Sequence, residues 1–295
     1  MRNTKRWINI LWVLVVLITV ARLATTAFSP SLTIPVVMAA AVFALIHGAL
    51  RYGWRGVLAF LVICLVVSNI LENTSILTGF PFGHYHYTSG PKLFLVPLFI
   101  GPSYFATAYL AWMLAIVLIG DVRRQGSWFT TVAVPVIASA VMVMWDLTFD
   151  PTASTIKHFW IWEQGGGYFG VPLTNYVGWF FTVYMFLQLF ALFLRFRRAA
   201  DTESLPLPAS YYAQAVISYA VVGLTAVLSY LVFTGNAVVT DAAGVPWQTR
   251  SITEAEATVS IFTMIFVSVL SGVKMLQASA GVRHASVEAG TGIAA

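Results

Sequence analysis

Apolar runs recur along this chain from Ile8 to Leu276, broken by short polar or aromatic connections. A bilayer crossing needs roughly twenty mostly apolar residues. Eight segments meet that requirement: 7–28, 32–50, 56–71, 93–119, 128–149, 176–194, 211–233 and 257–276. The pattern predicts an all-α protein, a polytopic membrane helix bundle of about eight transmembrane helices. Pro97, Gly101 and Pro102 predict a kink or break in the fourth segment. Pro151 predicts a stop at the end of the fifth. Two connections, 72–92 and 150–175, are dense in Gly, Pro and aromatic residues and carry little charge. Irregular backbone beside a bilayer survives where it is buried in protein or lines a cavity. Connection 235–256 is polar and reads as solvated, with Glu254 and Glu256 near the start of the eighth helix. Residues 1–277 form the transmembrane domain. Residues 278–295, rich in Ala, Gly and Ser, read as a disordered tail.

Composition narrows the class. Charged residues make up 9% of the chain and hydrophobic residues 59%. A soluble domain of this length carries about a quarter charged residues. The net charge of +5 reports topology rather than a nucleic-acid partner. Twelve basic residues fall on one side of the predicted bilayer, among them Lys5, Arg51, Arg55, Arg123, Arg124 and Arg198, and three on the other, Lys92, Lys157 and Arg250. That bias places both termini in the cytoplasm of a multi-pass protein of the cell membrane. The basic start and apolar run at the N-terminus read as a first span, with no small-x-small cleavage site behind them. Lys274 lies at a helix end, unsuited to a retinal Schiff base, and the single cysteine, Cys64, allows no disulfide within the chain.

Candidate chemistry concentrates where apolar runs end in acids. Trp145-Asp146-Leu147-Thr148-Phe149-Asp150-Pro151 closes the fifth run with two carboxylates four residues apart. On a helix they share one face, about 6 Å apart along the axis. An acid at membrane depth is neutral, paired or functional, and a pair with unequal proton affinities supplies an acid and a base together. Asp150 before Pro151 also suits a cap for a short following helix. Glu72 ends the third run among Ser68, Asn69 and Asn73. The third and fifth runs point the same way, so three carboxylates reach one membrane face. In Gly83-His84-Tyr85-His86-Tyr87, extended backbone puts both histidines on one side and both tyrosines on the other. His-x-His beside carboxylates is a metal possibility, but no third nitrogen ligand is evident and no metal is assigned. The stretch 160–172, with Trp160, Trp162, Gly165-Gly166-Gly167 and Tyr168, lacks the Lys-Ser or Lys-Thr ending of a phosphate loop. Its aromatic faces suit an interfacial belt or the stabilisation of a cation.

The region from Ser68 to Trp179 resembles the membrane carotenoid-biosynthesis hydratases of the CruF type. The residues concerned are Glu72, Gly79-Phe80-Pro81-Phe82-Gly83 with Tyr85 and Tyr87, Trp145-Asp146 with Asp150-Pro151, and Gly167-Tyr168-Phe169-Gly170-Val171-Pro172 followed by Asn175 and Gly178-Trp179. The resemblance implies addition of water across the terminal 1,2 (or 1',2') double bond of an acyclic carotenoid end group, giving a tertiary alcohol without a cofactor. The substrate arrives from the bilayer, and other carotenoid-pathway enzymes are candidate neighbours. Protonating an isolated alkene needs a carboxylic acid, a cation-stabilising pocket and one positioned water. Asp146, Asp150 and Glu72 are the catalytic candidates, with Asp146, the deeper acid, as proton donor. Tyr85, Tyr87, Trp145, Trp162, Tyr168, Asn175 and Trp179 are the substrate-binding candidates. A carotenoid cyclase begins with the same protonation. A proton-coupled transporter uses membrane carboxylates differently, and a noncatalytic pigment-binding protein needs none of the three acids.

Overall fold

The computed structural model of the protein describes residues 2–28, 33–197 and 207–291. Arg198, the expected start of the second span at residue 32 and the last four residues of the tail lie outside the described residues. The helices are α1 (Arg2–Phe28), α2 (Thr33–Thr78), α3 (Ile100–Ile119), α4 (Trp128–Leu147), α5 (Leu173–Phe196), α6 (Ala209–Val232), α7 (Thr249–Ser260) and α8 (Phe266–Thr291). A π-helical turn, Ile261–Ile265, joins α7 to α8, and α8 runs on past Gln277. The fold is an all-α polytopic membrane bundle, and among the described residues seven helices are long and apolar enough to cross a bilayer.

The difference between eight expected segments and seven helices lies at Gly53. Its φ of 69° and ψ of 167° are not helical, a conformation that glycine alone adopts freely. The chain doubles back there. A methyl group placed on Gly48 would meet Val57 Cγ2 at 2.7 Å, whereas nine residues of straight helix separate such positions by about 13 Å. The arms 33–52 and 54–78 are each long enough to cross, about 30 and 37 Å. Arg51, beside the reversal, forms an ion pair with Asp121 after α3 and donates to the Tyr212 hydroxyl at 2.6 Å. His47 Nε2 meets the Tyr211 carbonyl at 2.9 Å. These bonds tie α2, α3 and α6 together at that end.

α3 is the central helix, packed between α2 and α4 and buried almost continuously from Tyr104 to Ile116. The outer helices keep large apolar side chains exposed, among them Val13, Leu17, Val62, Val66, Phe262 and Val269, the surface that lipid covers. The fourth segment is broken near its start, as expected: residues 92–97 form a small hairpin of β2 (Lys92–Leu93) and β3 (Val96–Pro97), and helix begins only at Ile100. Pro102 falls in the first turn of α3, where its missing N–H has no helical partner to lose. Pro151, by contrast, does not stop the fifth segment. The chain enters a π-helical turn, Thr152–Ile156, with Pro151 in helical geometry just before it.

The two aromatic connections pair with each other. Strand β1 (Tyr85–Tyr87) runs antiparallel to β4 (Trp160–Trp162), with Tyr85 opposite Trp162 and Tyr87 opposite Trp160. Tyr85 and Tyr87 are buried and His86 is exposed, on opposite sides of the strand as its alternation requires. Connection 235–256 carries a further hairpin, β5 (Val238–Thr240) with β6 (Pro246–Gln248), and the first two turns of α7. Glu254 is exposed but Glu256 is buried, so this segment is not uniformly solvated.

Candidate active site

The C-terminal ends of α2 and α4, the N-terminal turns of α3 and α5 and the β1–β4 ribbon line one side of a cavity of about 1130 Å³, which α1, α6 and α7 complete. Glu72, Asp146 and Asp150 all line it. Their exposures of 3%, 1% and 1% show that the protein, not bulk water, sets their surroundings.

Glu72 sits in the last two turns of α2. Its Oε2 accepts from the Tyr85 and Tyr87 hydroxyls, the latter at 2.9 Å, and its Oε1 from Tyr104 at 2.6 Å. Three phenols from two elements therefore converge on one carboxylate. Burial, and then the facing Glu72 charge, push the Tyr85 and Tyr87 hydroxyls above the ordinary phenol range, so both stay protonated donors.

Asp146 lies in the last turn of α4. The chain tightens there, with Thr148 N donating to Trp145 O and Phe149 N to Asp146 O, both at 3.1 Å. Asp150 follows on the same face. The Asn175 amide donates to both acids, at 2.8 Å to Asp146 Oδ2 and 2.7 Å to Asp150 Oδ2. Asp150 Oδ1 also accepts from the Trp160 indole at 2.7 Å, with the Trp162 indole at 3.4 Å. The side chain of Asp150 thus binds indoles and an amide rather than capping the turn behind it. Among the described residues, Asn175 is the one hydrogen-bond donor to Asp146. The Asn175 Oδ1 is buried without a partner.

α5 presents this amide because of its first turns. Asn175 and Trp179 are one turn apart and share a face. Gly178 between them lets α5 approach the 79–83 loop closely: a methyl there would meet Pro81 O at 2.7 Å and Phe82 Cδ1 at 2.8 Å. Trp179 then lies flat on Tyr104, with Trp145 edge-on to Trp179 at 5.7 Å and stacked on Phe149 at 5.1 Å. Tyr85 packs against Trp162, their centroids 4.8 Å apart. The carboxylates are surrounded by π-faces, which suit a passing cation.

The structure brings nine of the ten candidates to this cavity: Glu72, Asp146, Asp150, Tyr85, Tyr87, Trp145, Trp162, Asn175 and Trp179. Tyr168 is the exception. Its hydroxyl donates to Leu147 O at 3.2 Å and its ring packs on Phe169 and Tyr176, so it braces the wall from behind. Tyr104, Phe149, Trp160 and Glu256 also line the cavity, though none of them is among the ten candidates. Tyr104 gives no local signal, since its partner Glu72 comes from another helix. His86 is exposed and faces Glu163 at 3.4 Å. Among the described residues no cluster of His, Cys, Asp or Glu is arranged to hold a metal ion.

A helical membrane bundle with buried carboxylates in an aromatic cavity defines the class. The chain belongs to the carotenoid biosynthesis protein family, whose model matches residues 28–242. It is also 36% identical over 112 residues to a bisanhydrobacterioruberin hydratase of Haloarcula japonica. That match covers 37% of this chain and 36% of the relative, so the two are aligned over little more than a third of either length. No solved structure matches the chain.

Proposed function

We propose that this protein is a carotenoid hydratase of the cell membrane, with both termini cytoplasmic and its acids toward the outer face. It adds water to the terminal double bond of an acyclic carotenoid end group supplied by the bilayer. Asp146 donates its proton to the alkene carbon that bears hydrogen. The π bond breaks, a C–H bond forms, and positive charge appears on the neighbouring tertiary carbon. Water attacks that carbon and forms the C–O bond of a tertiary alcohol. Asp150, joined to Asp146 through Asn175, takes the proton that water releases, which keeps the pair's total charge, and that proton passes back to Asp146 before the next turnover. Glu72 and the faces of Trp145, Trp179 and Tyr104 stabilise the cation.

The single observation that carries this reading is the unequal treatment of three carboxylates in one cavity. Glu72 receives three phenol donors and Asp150 an amide and two indoles, while Asp146 receives one amide. Donors favour the charged form of a carboxylate, so the acid with the fewest donors is the one suited to hold a proton. The hydratase name of the Haloarcula relative supports water as the nucleophile.

The test is expression in cells that accumulate an acyclic carotene, followed by mass analysis of the pigments. Product heavier by one water for each reacted end is expected. Pigment of altered absorption but unchanged mass points to a cyclase, and unaltered pigment overturns the enzyme reading.

A further inference from the structure

Glu256 is a fourth carboxylate on the cavity wall and comes from α7, beyond the region that the family model matches. It is 3% exposed. Both of its oxygens are engaged by one residue: Oε1 accepts from the Thr152 backbone N–H and Oε2 from the Thr152 hydroxyl, each at 2.7 Å. Thr152 stands two residues after Asp150, across Pro151. Regular α-helix has already ended at Leu147, and the backbone ladder is incomplete here. Pro151 has no N–H, and the Thr152 N–H bonds Glu256 rather than a carbonyl one turn back. On the far side, Lys157 N donates to Thr152 O at 2.9 Å and Ser154 Oγ to Asp150 O at 2.8 Å. The segment bearing Asp150 is thus held from α7.

We propose that Glu256 is a positioning residue that sets Asp150 in line with Asp146 and Asn175 by clamping Thr152 at two points. The proposal rests on the hydratase reading for its kinetic consequence. Glu256 is not a second proton donor to substrate, because its oxygens are turned to Thr152. Misplacing a reacting group by about 1 Å can cost on the order of a hundredfold in rate, so loss of the clamp acts on turnover more than on substrate binding.

The test uses full-length protein in membranes or detergent, with Glu256→Ala and Glu256→Gln beside the parent. Two things are read: turnover with its KM, and amide hydrogen exchange of the segment 149–157. Glu256→Ala is expected to lower kcat at least tenfold with KM within twofold, and to speed exchange in 149–157 while Tyr85–Tyr87 stays protected. Glu256→Gln is expected to restore both readouts, since its amide can accept from the Thr152 N–H and donate to the Thr152 hydroxyl. Parental exchange and kcat in the alanine variant would overturn the proposal, as would a glutamine variant no better than alanine, which would point to charge instead of a clamp. If the alanine variant does not accumulate, Thr152→Val replaces it. That variant keeps the backbone bond and is expected to show partial loss in both readouts; parental values overturn the clamp. Exchange reports the clamp whatever the product is, whereas absence of hydrated product from the parent protein sinks the hydratase reading alone.

Discussion

Tyr104 and Trp179 lie face to face, their ring centroids 4.3 Å apart and their planes within 1° of parallel. The stack joins α3 to α5 and holds the Tyr104 hydroxyl on Glu72 at 2.6 Å. One aromatic pair therefore links the packing of the bundle to the charge of the site. Tyr104→Phe keeps the stack and removes the donor. A hydrogen bond to a charged group contributes about 1.5–3 kcal/mol, and each 1.36 kcal/mol is about tenfold in rate. Turnover should fall about tenfold to a hundredfold with unchanged accumulation in the membrane. Parental turnover would detach Glu72 from the chemistry.

Asn175 gives a sharper expectation, because one amide serves two acids. Asn175→Ala leaves Asp146 without a protein donor and Asp150 with its indoles. Loss of buried hydrogen bonds of this kind costs about 1–3 kcal/mol each, so the melting temperature in detergent should drop along with turnover. A variant that melts like the parent and works like it would show that the bridge is incidental.

Gly178→Ala tests the approach of α5 to the 79–83 loop. The added methyl meets Pro81 O, a backbone atom that cannot swing aside. Overpacking of this kind costs about 1–3 kcal/mol, and the displaced loop leads straight into β1. Lower thermal stability and reduced turnover should appear together. Unchanged stability would mean that the two elements sit farther apart than described.

The tyrosines set a pH expectation. Because the Tyr85 and Tyr87 hydroxyls are raised by burial and by Glu72, their deprotonation moves to higher pH and both remain donors up to about pH 10, the ordinary phenol value. Turnover of the parent between about pH 7 and about pH 9 should show no loss traceable to them. Tyr85→Phe should lower the whole profile without altering its shape. An alkaline fall in that window that disappears in Tyr85→Phe would contradict the assignment.

Much of this site is legible in the chain because acids in apolar runs are conspicuous. Asp146, Asp150 and Glu72 stand out by expense alone, and Tyr85 and Tyr87 by alternation in an extended segment. The residues that escape notice depend on contacts between distant elements. Tyr104 looks like one more aromatic in an apolar helix until α2 brings Glu72 to it. Glu256 reads as a solvated acid at a helix start because nothing local shows that the 150–156 segment needs two acceptors. Tyr168 errs the other way: its glycine-rich setting suggests a ligand, but its hydroxyl is used by the Leu147 carbonyl. Pro151 misleads, since it stands in helical geometry at the start of a turn, where no N–H is required.

Transfer of the Asp146 proton to carbon leaves a permanent mark if it happens. Membranes containing the parent protein or Asp146→Asn can be supplied with an acyclic carotene in deuterium oxide, and the product washed in ordinary water before mass analysis. A general acid contributes on the order of a hundredfold to ten-thousandfold. The parent should yield pigment heavier by one water and retaining one carbon-bound deuterium, and Asp146→Asn should yield almost none. Product of unchanged mass from the parent, or parental yield from Asp146→Asn, would contradict the assignment of Asp146 as the acid that hydrates the alkene.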